Sequence, residues 1–226
     1  MPLNRTPSTA PARVLIVTAV QAEADALRRG LTGPYAGRYD LLAAGAGPAA
    51  AAAGTAARLA AGTYGCVVSA GIAGGFPGRA PVGSLVVASE LVHADFGSET
   101  PEGFRSAAEL GYGRTVYPAD AERAGALAAA LAAAGLAVST GPVLTVSTAT
   151  GSAAAADALA ARVPGAAAEA MEGCGVAAAA LAAGLPVLEL RAISNPVGPR
   201  DRDAWRIGEA LDALAAAATL LSEVPL

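Results

Sequence analysis

The 226-residue chain contains no lysine; its 15 basic residues are all arginine, set against 19 acids and a single histidine, His93. A net charge of -4 and a pI near 5.0 leave no positive field to attract a phosphate backbone. Aromatic residues make up 4% of the chain, few for stacking single strands, so nucleic acid is not an expected partner. One histidine cannot assemble the usual ligand sets of a zinc enzyme. Cys66 and Cys174 lie far apart and form no CxxC pair, so neither a zinc site nor a disulfide framework is indicated. No metal and no redox cofactor is expected. Long apolar runs are missing as well: Val14 to Val20 is only seven residues, and polar, helix-favouring residues follow it instead of a cleavage site. The uncharged stretch from Gly173 to Leu188 is broken by Gly184 and Pro186. These absences predict a cytoplasmic protein with no membrane partner.

What is present is alanine, glycine and a repeated alternation of strand and helix signals. The length is enough for one α/β domain with a full core. Residues 1–12, with Pro2, Pro7 and Pro11 among serine and threonine, read as a loose arm, and residues 13–226 as a single domain. Val14 to Thr18 is a continuous aliphatic run, followed by Val20, Ala24, Leu27 and Leu31 at helical spacing. Tyr39 to Ala44 reads as strand and Pro48 to Ala61 as helix. Cys66 to Ala70 is a buried strand leading into the glycine run Gly71 to Gly75, and Val82 to Leu91 is a further strand. Gly97 to Gly113 reads as a long surface loop over a site. Asp120 to Ala134 is helical, Leu136 to Val146 a strand interrupted at Gly141-Pro142, Met171 to Ala183 a helix, and Val187 to Ile193 the last strand. Asp203 is placed to cap a terminal helix whose Ile207, Leu211, Leu214 and Leu221 share one face. Strands that read as unbroken apolar runs are covered on both sides. The expected fold is therefore a three-layer αβα sandwich around a central, twisted, mixed but largely parallel sheet.

Several polar positions fall at strand ends, where such sheets bind ligands. Gly45-Ala46-Gly47 marks a strand-to-helix turn able either to bind an anion or simply to turn the chain. The run at Gly71 to Gly75 lets backbone approach a ligand closely, or serves as a tight turn. Glu172 opens a helix; its carboxylate can accept two hydrogen bonds from a ribose diol, or can merely favour the helix N-terminus. Asn195 follows directly on an apolar strand, where its amide needs partners. It can donate to the 6-oxo group of a purine and accept from a protonated N7, or it can form a turn before Pro196. Glu23 sits in the first turn of the first helix, as a water-activating base or as a surface charge. His93 and Asp95 follow a strand and can reach the same mouth, or act as a satisfied histidine and a loop carboxylate.

Taken in order, these segments resemble the nucleoside phosphorylase and methylthioadenosine nucleosidase superfamily over about residues 13 to 222. Ser69 to Gly75 is similar to its strand-to-loop signature, Gly83 to Glu90 to the strand after it, Met171-Glu172-Gly173 to its ribose-binding pair, and Arg191-Ala192-Ile193-Ser194-Asn195 to its Arg-x-Ile-Ser-Asp motif with Asn for Asp. The resemblance implies a nucleoside phosphorylase-like fold, a homodimer or larger homo-oligomer, and a small nucleoside as substrate. It implies Glu23 as the base that activates water, Asn195 as the group that orients the leaving purine, and Ala73, Gly74, Met171, Glu172 and Ser194 as substrate-binding positions. Asn195 and the following Gly198 to Trp205 resemble a branch that hydrolyses an N-ribosidic bond to release hypoxanthine in menaquinone biosynthesis. The alternatives are an adenine nucleosidase, a phosphate-dependent phosphorylase, and a nucleotide-binding module without chemistry. An amide cannot donate a titratable proton, so protonation of N7 falls to water or to an acid such as Asp201. Ala170 stands where a glutamate often precedes the Met-Glu pair. For the aromatic that covers the base, the candidates are Phe104 and Tyr112.

Overall fold

The computed structural model describes residues 13–224, and the expected arm at residues 1–12 lies outside them. The first three strands set the plan. β1 (Val14–Thr18) is followed by α1 (Gln21–Gly30) and β2 (Tyr39–Ala43), then α2 (Pro48–Ala61) and β3 (Cys66–Gly75). β2 and β3 both pair in parallel with β1, on opposite edges. Two parallel crossovers running in opposite directions put their helices on opposite faces if both are right-handed. The crevice at the carboxyl ends of β1 and β3 is then a topological switch point, the usual ligand position in such sheets.

The rest of the chain completes the sheet and its two cover layers. β4 (Leu85–His93), a hairpin of β5 (Gly97–Thr100) and β6 (Gly103–Ser106), β7 (Val116–Pro118), α3 (Ala121–Ala133) and β8 (Val138–Thr145) come first. α4 (Ala153–Arg162), β9 (Ala168–Ala170), α5 (Gly173–Ala182), β10 (Val187–Pro196) and α6 (Ile207–Leu220) follow. β3 pairs with β10 along one edge, and with β1 and then β9 along the other. From β10 the ladder runs through β4 and β8 back to β9, so the sheet curls round on itself and leaves β1 and β2 as an extension. The β1–β2, β1–β3, β3–β10, β4–β8 and β8–β9 pairs are parallel, while β4–β10, β3–β9 and β4–β7 are antiparallel. This is the mixed, largely parallel sheet that the apolar runs predict. α1 packs with α6 and α2 with α5. Leu15, Ile16, Val67, Val68, Leu188, Leu190 and Ile193 are all fully buried between the helix layers, and each such side chain contributes about 1.5–3 kcal/mol of transfer free energy.

Four expectations are corrected. The glycine run is not a loop: β3 continues through Gly75 because β10 and β9 supply ladder partners, which override glycine's weak strand preference. The segment from Gly97 to Gly113 carries the β5–β6 hairpin and covers a separate cavity lined by His93, Phe104 and Arg162, not the switch-point crevice. β8 is continuous through Pro142; the missing N–H there appears instead as a register shift on β4 between Ala88 and Leu91. Asp203 does not cap the last helix. It lies in a short 3₁₀ turn (Arg202–Ala204), and α6 starts after Arg206, whose N–H is held by the Ser194 carbonyl.

Candidate active site

Four chain segments meet at the switch point, and each is held there by groups that the sequence supplies locally. At the end of β1, Glu23 turns back and its carboxylate accepts hydrogen bonds from the N–H groups of Ala19 (3.0 Å) and Val20 (3.1 Å). These are orphan donors at a helix start, so the acid caps its own helix. Its other oxygen accepts from Ile72 N–H on β3 at 2.9 Å. Glu23 is only 3% exposed, which removes the surface-charge reading and leaves an oriented carboxylate in the crevice wall.

Glu172 ends the turn after β9 and is 5% exposed. Its Oε1 accepts from Gly47 N–H at 3.3 Å, and its Oε2 from Met171 N–H at 3.3 Å. Gly47 adopts φ +91° at the N-cap of α2, a conformation that favours glycine. The anion at the Gly45-Ala46-Gly47 turn is therefore the protein's own Glu172. A second anchor comes from Arg191, whose Nη1 lies 3.2 Å from Glu172 Oε2.

Arg191 is the buried hub beneath both acids. Its Nε donates to Glu189 Oε1 at 2.8 Å and its Nη2 to Ser69 Oγ at 3.1 Å. Burial by itself disfavours its charge, but Glu189, Glu172 and Glu23 outweigh that and leave its pKa raised. Glu189 is fully buried and its Oε2 has no hydrogen-bond partner. Burial pushes its carboxyl up to about 7, because the single positive charge of Arg191 offsets only part of the cost and Glu172 adds repulsion.

On β10 the register slips between Ile193 and Asn195, so Ser194 is the extra residue of a bulge. In a regular strand neighbouring side chains point to opposite faces. Here Ser194 Oγ donates to Asn195 Oδ1 at 2.8 Å, so the bulge has brought both onto one side. Asn195 Nδ2 donates to the Pro196 carbonyl at 2.9 Å. One lone pair on Oδ1 and one hydrogen on Nδ2 stay free for a ligand.

The crevice encloses about 250 Å³, and its walls include Glu23, Ala73, Gly74, Met171, Glu172, Ser194 and Asn195. The structure thus gathers all seven sequence-predicted site residues at one place. It leaves others out. His93 sits 3.6 Å from Asp95 and stacks on Phe96 at the separate cavity, where burial lowers its pKa. Asp201 is exposed and does not line the crevice. Phe104 lies under the Arg162 guanidinium, and the Tyr112 hydroxyl bonds Ser98, so neither reaches the site. The aromatic in the wall is instead Trp205, with the Arg200 guanidinium 5.0 Å from its ring centroid. Glu169 and Thr150 also line the crevice. Trp205 was visible as a lone indole in a polar stretch, and Glu189 and Arg191 as two charges spaced by two within an apolar strand. Glu169 gave no signal, since three residues flanked by alanine do not announce a strand. Among the described residues no group of three or more His, Cys, Asp or Glu side chains is arranged to hold a metal ion.

This chain belongs to the phosphorylase superfamily, whose family model matches residues 14–224. Solved structures carry the same fold: the 5'-methylthioadenosine/S-adenosylhomocysteine nucleosidase of Neisseria meningitidis superposes with a TM-score of 0.75 at 21% identity, covering 93% of this chain and 99% of that one. A putative nucleosidase of the same name from Francisella philomiragia gives 0.79 at 18% identity over 94% and 99%. Within the superfamily the chain falls in the futalosine hydrolase family. It is 52% identical to the futalosine hydrolase of Streptomyces coelicolor, over 93% of this chain and 95% of that protein. It is 47% identical to that of Acidothermus cellulolyticus, over 87% and 85%.

Proposed function

We infer that this protein is an N-glycosyl hydrolase that cleaves the N-ribosidic bond of futalosine and releases hypoxanthine, as a step of menaquinone biosynthesis. The observation that carries the reading is the convergence of Glu23, Glu172 and Asn195 on one crevice, in a chain 52% identical to a futalosine hydrolase. Glu172 and Met171 grip the ribose, with Arg191 and Gly47 N–H fixing the carboxylate. Glu23 takes a proton from the attacking water, and its three backbone hydrogen bonds hold it in place before substrate arrives. As the bond to the sugar breaks, its electron pair goes to the purine, and positive charge grows on the ribose. N7 takes a proton from solvent water, and Asn195 then donates to the 6-oxo group and accepts from the N7–H, which lowers the barrier to the extent that these bonds strengthen as charge develops. Trp205 forms the aromatic wall over the base, and the backbone at Ala73 and Gly74 forms the floor.

Water is favoured over phosphate as the nucleophile because two carboxylates, Glu23 and Glu172, border its position, and the Arg191 guanidinium is already committed to buried partners. An oligomeric state of two or more and a cytoplasmic location complete the reading; among the described residues no helix is long and apolar enough to cross a membrane. The test is product analysis with futalosine in phosphate-free buffer. Hypoxanthine should appear at a rate unchanged by added phosphate, and strict dependence on phosphate would overturn the hydrolytic reading.

A further inference from the structure

The register of three neighbouring strands sets two polar side chains across a gap. Gly74 on β3 pairs with Asn195 on β10 at one edge and with Glu169 on β9 at the other. Directly paired residues project from the same face of a sheet, and Glu169, Gly74 and Asn195 all line the crevice. Because Gly74 has no side chain, the Asn195 amide and Val197 can lie directly over its bare backbone: a Cβ placed there would stand 3.3 Å from Asn195 Nδ2 and 3.1 Å from Val197 Cγ2. Neighbouring strands lie roughly 4.8 Å apart, so two spacings separate Glu169 from Asn195 by roughly 10 Å at the backbone.

Glu169 is held ready in the crevice wall. Its Oε1 accepts from Thr150 N–H at 2.9 Å and its Oε2 from the Thr150 hydroxyl. Both bonds come from one residue, and a carboxylate has about four acceptor sites, so acceptor capacity remains toward the crevice. At 8% exposure the group is largely cut off from water, and a ligand donor reaching it would meet an acceptor with little competition.

We propose that Glu169 is a specificity-determining residue of this site: its carboxylate accepts the N1–H of a 6-oxopurine and repels the bare N1 lone pair of a 6-aminopurine. The proposal rests on the purine-releasing function inferred above and extends it. Asn195 addresses O6 and N7, and Glu169 addresses the donor on the other side of O6. The pair therefore reads three consecutive positions of hypoxanthine, of which adenine offers the opposite pattern at two. Glu169 needs no proton transfer for this role.

Binding of free bases to the whole protein, followed by calorimetry, tests the assignment without turnover. Wild-type protein should bind hypoxanthine roughly 10- to 100-fold more tightly than 1-methylhypoxanthine, in which a methyl group replaces the N1 donor, and should discriminate against adenine at least as strongly. In Glu169→Gln the preference for hypoxanthine over adenine should collapse, because the new amide can donate to N1 of adenine. Equal binding of hypoxanthine and its 1-methyl derivative by the wild type would overturn the proposal while leaving the hydrolase reading intact, and this comparison requires no variant to fold. Uniform weakening of all three bases in Glu169→Gln would show a purely structural role through Thr150 and would overturn it too. A wild-type protein that prefers adenine, or binds no purine, would overturn both readings.

Discussion

Glu23 and Glu172 are each a lone acid near a helix start, where a carboxylate on the surface is the common outcome. What places them in the crevice wall is burial with compensation: 3% and 5% exposure, with backbone N–H groups donating hydrogen bonds to both carboxylates. The sequence offers the acid and the helix start but not the loss of water around them. Asn195 was legible for a different reason, because an amide that directly follows a buried strand must find partners. If Glu23 activates water and Asn195 stabilises the leaving base, their removal should act on the chemical step. Glu23→Gln should lower kcat by about 10²- to 10⁴-fold with KM nearly unchanged. Asn195→Ala should lower it by about 10²- to 10³-fold, the effect of losing one oxyanion-type donor. Steady-state kinetics of hypoxanthine release checks both. Glu23→Gln retaining full turnover would remove it from the mechanism.

At the level of elements, apolar periodicity located β1, α1, α2 and α3 almost to the residue, because each either buries one face or lies wholly inside the core, whereas β10 runs three residues past its expected end at Ile193, to Pro196. It failed at α4 and β9. The run Ala153 to Arg162 is mostly alanine and shows no face, and its start depends on the Ser152 side chain accepting from Ala155 N–H. β9 has three residues and exists only because β8 and β3 flank it. The glycines of β3 are informative for what they lack. A Cβ on Gly71 would stand 2.5 Å from Glu23 Oε1 and 2.9 Å from Arg191 Nη1, so the strand can carry no side chain where the acid and its guanidinium neighbour pack against it. Gly71→Ala should therefore push Glu23 from its position, with a loss of activity larger than its stability cost of roughly 1–3 kcal/mol suggests. Parallel measurement of kcat and Tm separates the two effects. Wild-type kcat in the variant would show that Glu23 moves without consequence.

Across the whole molecule, β1, β3, β10 and the turn after β9 are tied together by one buried charge network in which Arg191 faces Glu23, Glu172 and Glu189. Glu189 contributes the pH dependence. Its folded-state pKa of about 7 lies above the ordinary glutamate value of 4.5. Between those values the folded protein binds more protons than the unfolded chain, so stability falls as pH rises. The contribution is fully present below the unfolded value and is lost as pH passes the folded one. Wild-type Tm should accordingly drop between pH 5 and pH 8, by about 2–4 °C for each kcal/mol lost in a domain of this size. Glu189→Gln, which keeps an acceptor for Arg191 Nε, should flatten that slope. Thermal melts of both proteins across this range decide the point, and an unchanged slope in the variant would assign the pH dependence elsewhere.

The sequence by itself determined the alternation of strand and helix, the largely parallel sheet and the short polar motifs at strand ends, since each follows from residue order and apolar period over a few neighbouring positions. Only the tertiary structure decided which of those motifs share a crevice, that the glycine run is strand, that Trp205 and not Phe104 or Tyr112 lines the site, and that Glu169 faces Asn195 across Gly74. Those facts depend on register and burial between segments far apart in the chain, and such pairing is set by how the whole sheet closes.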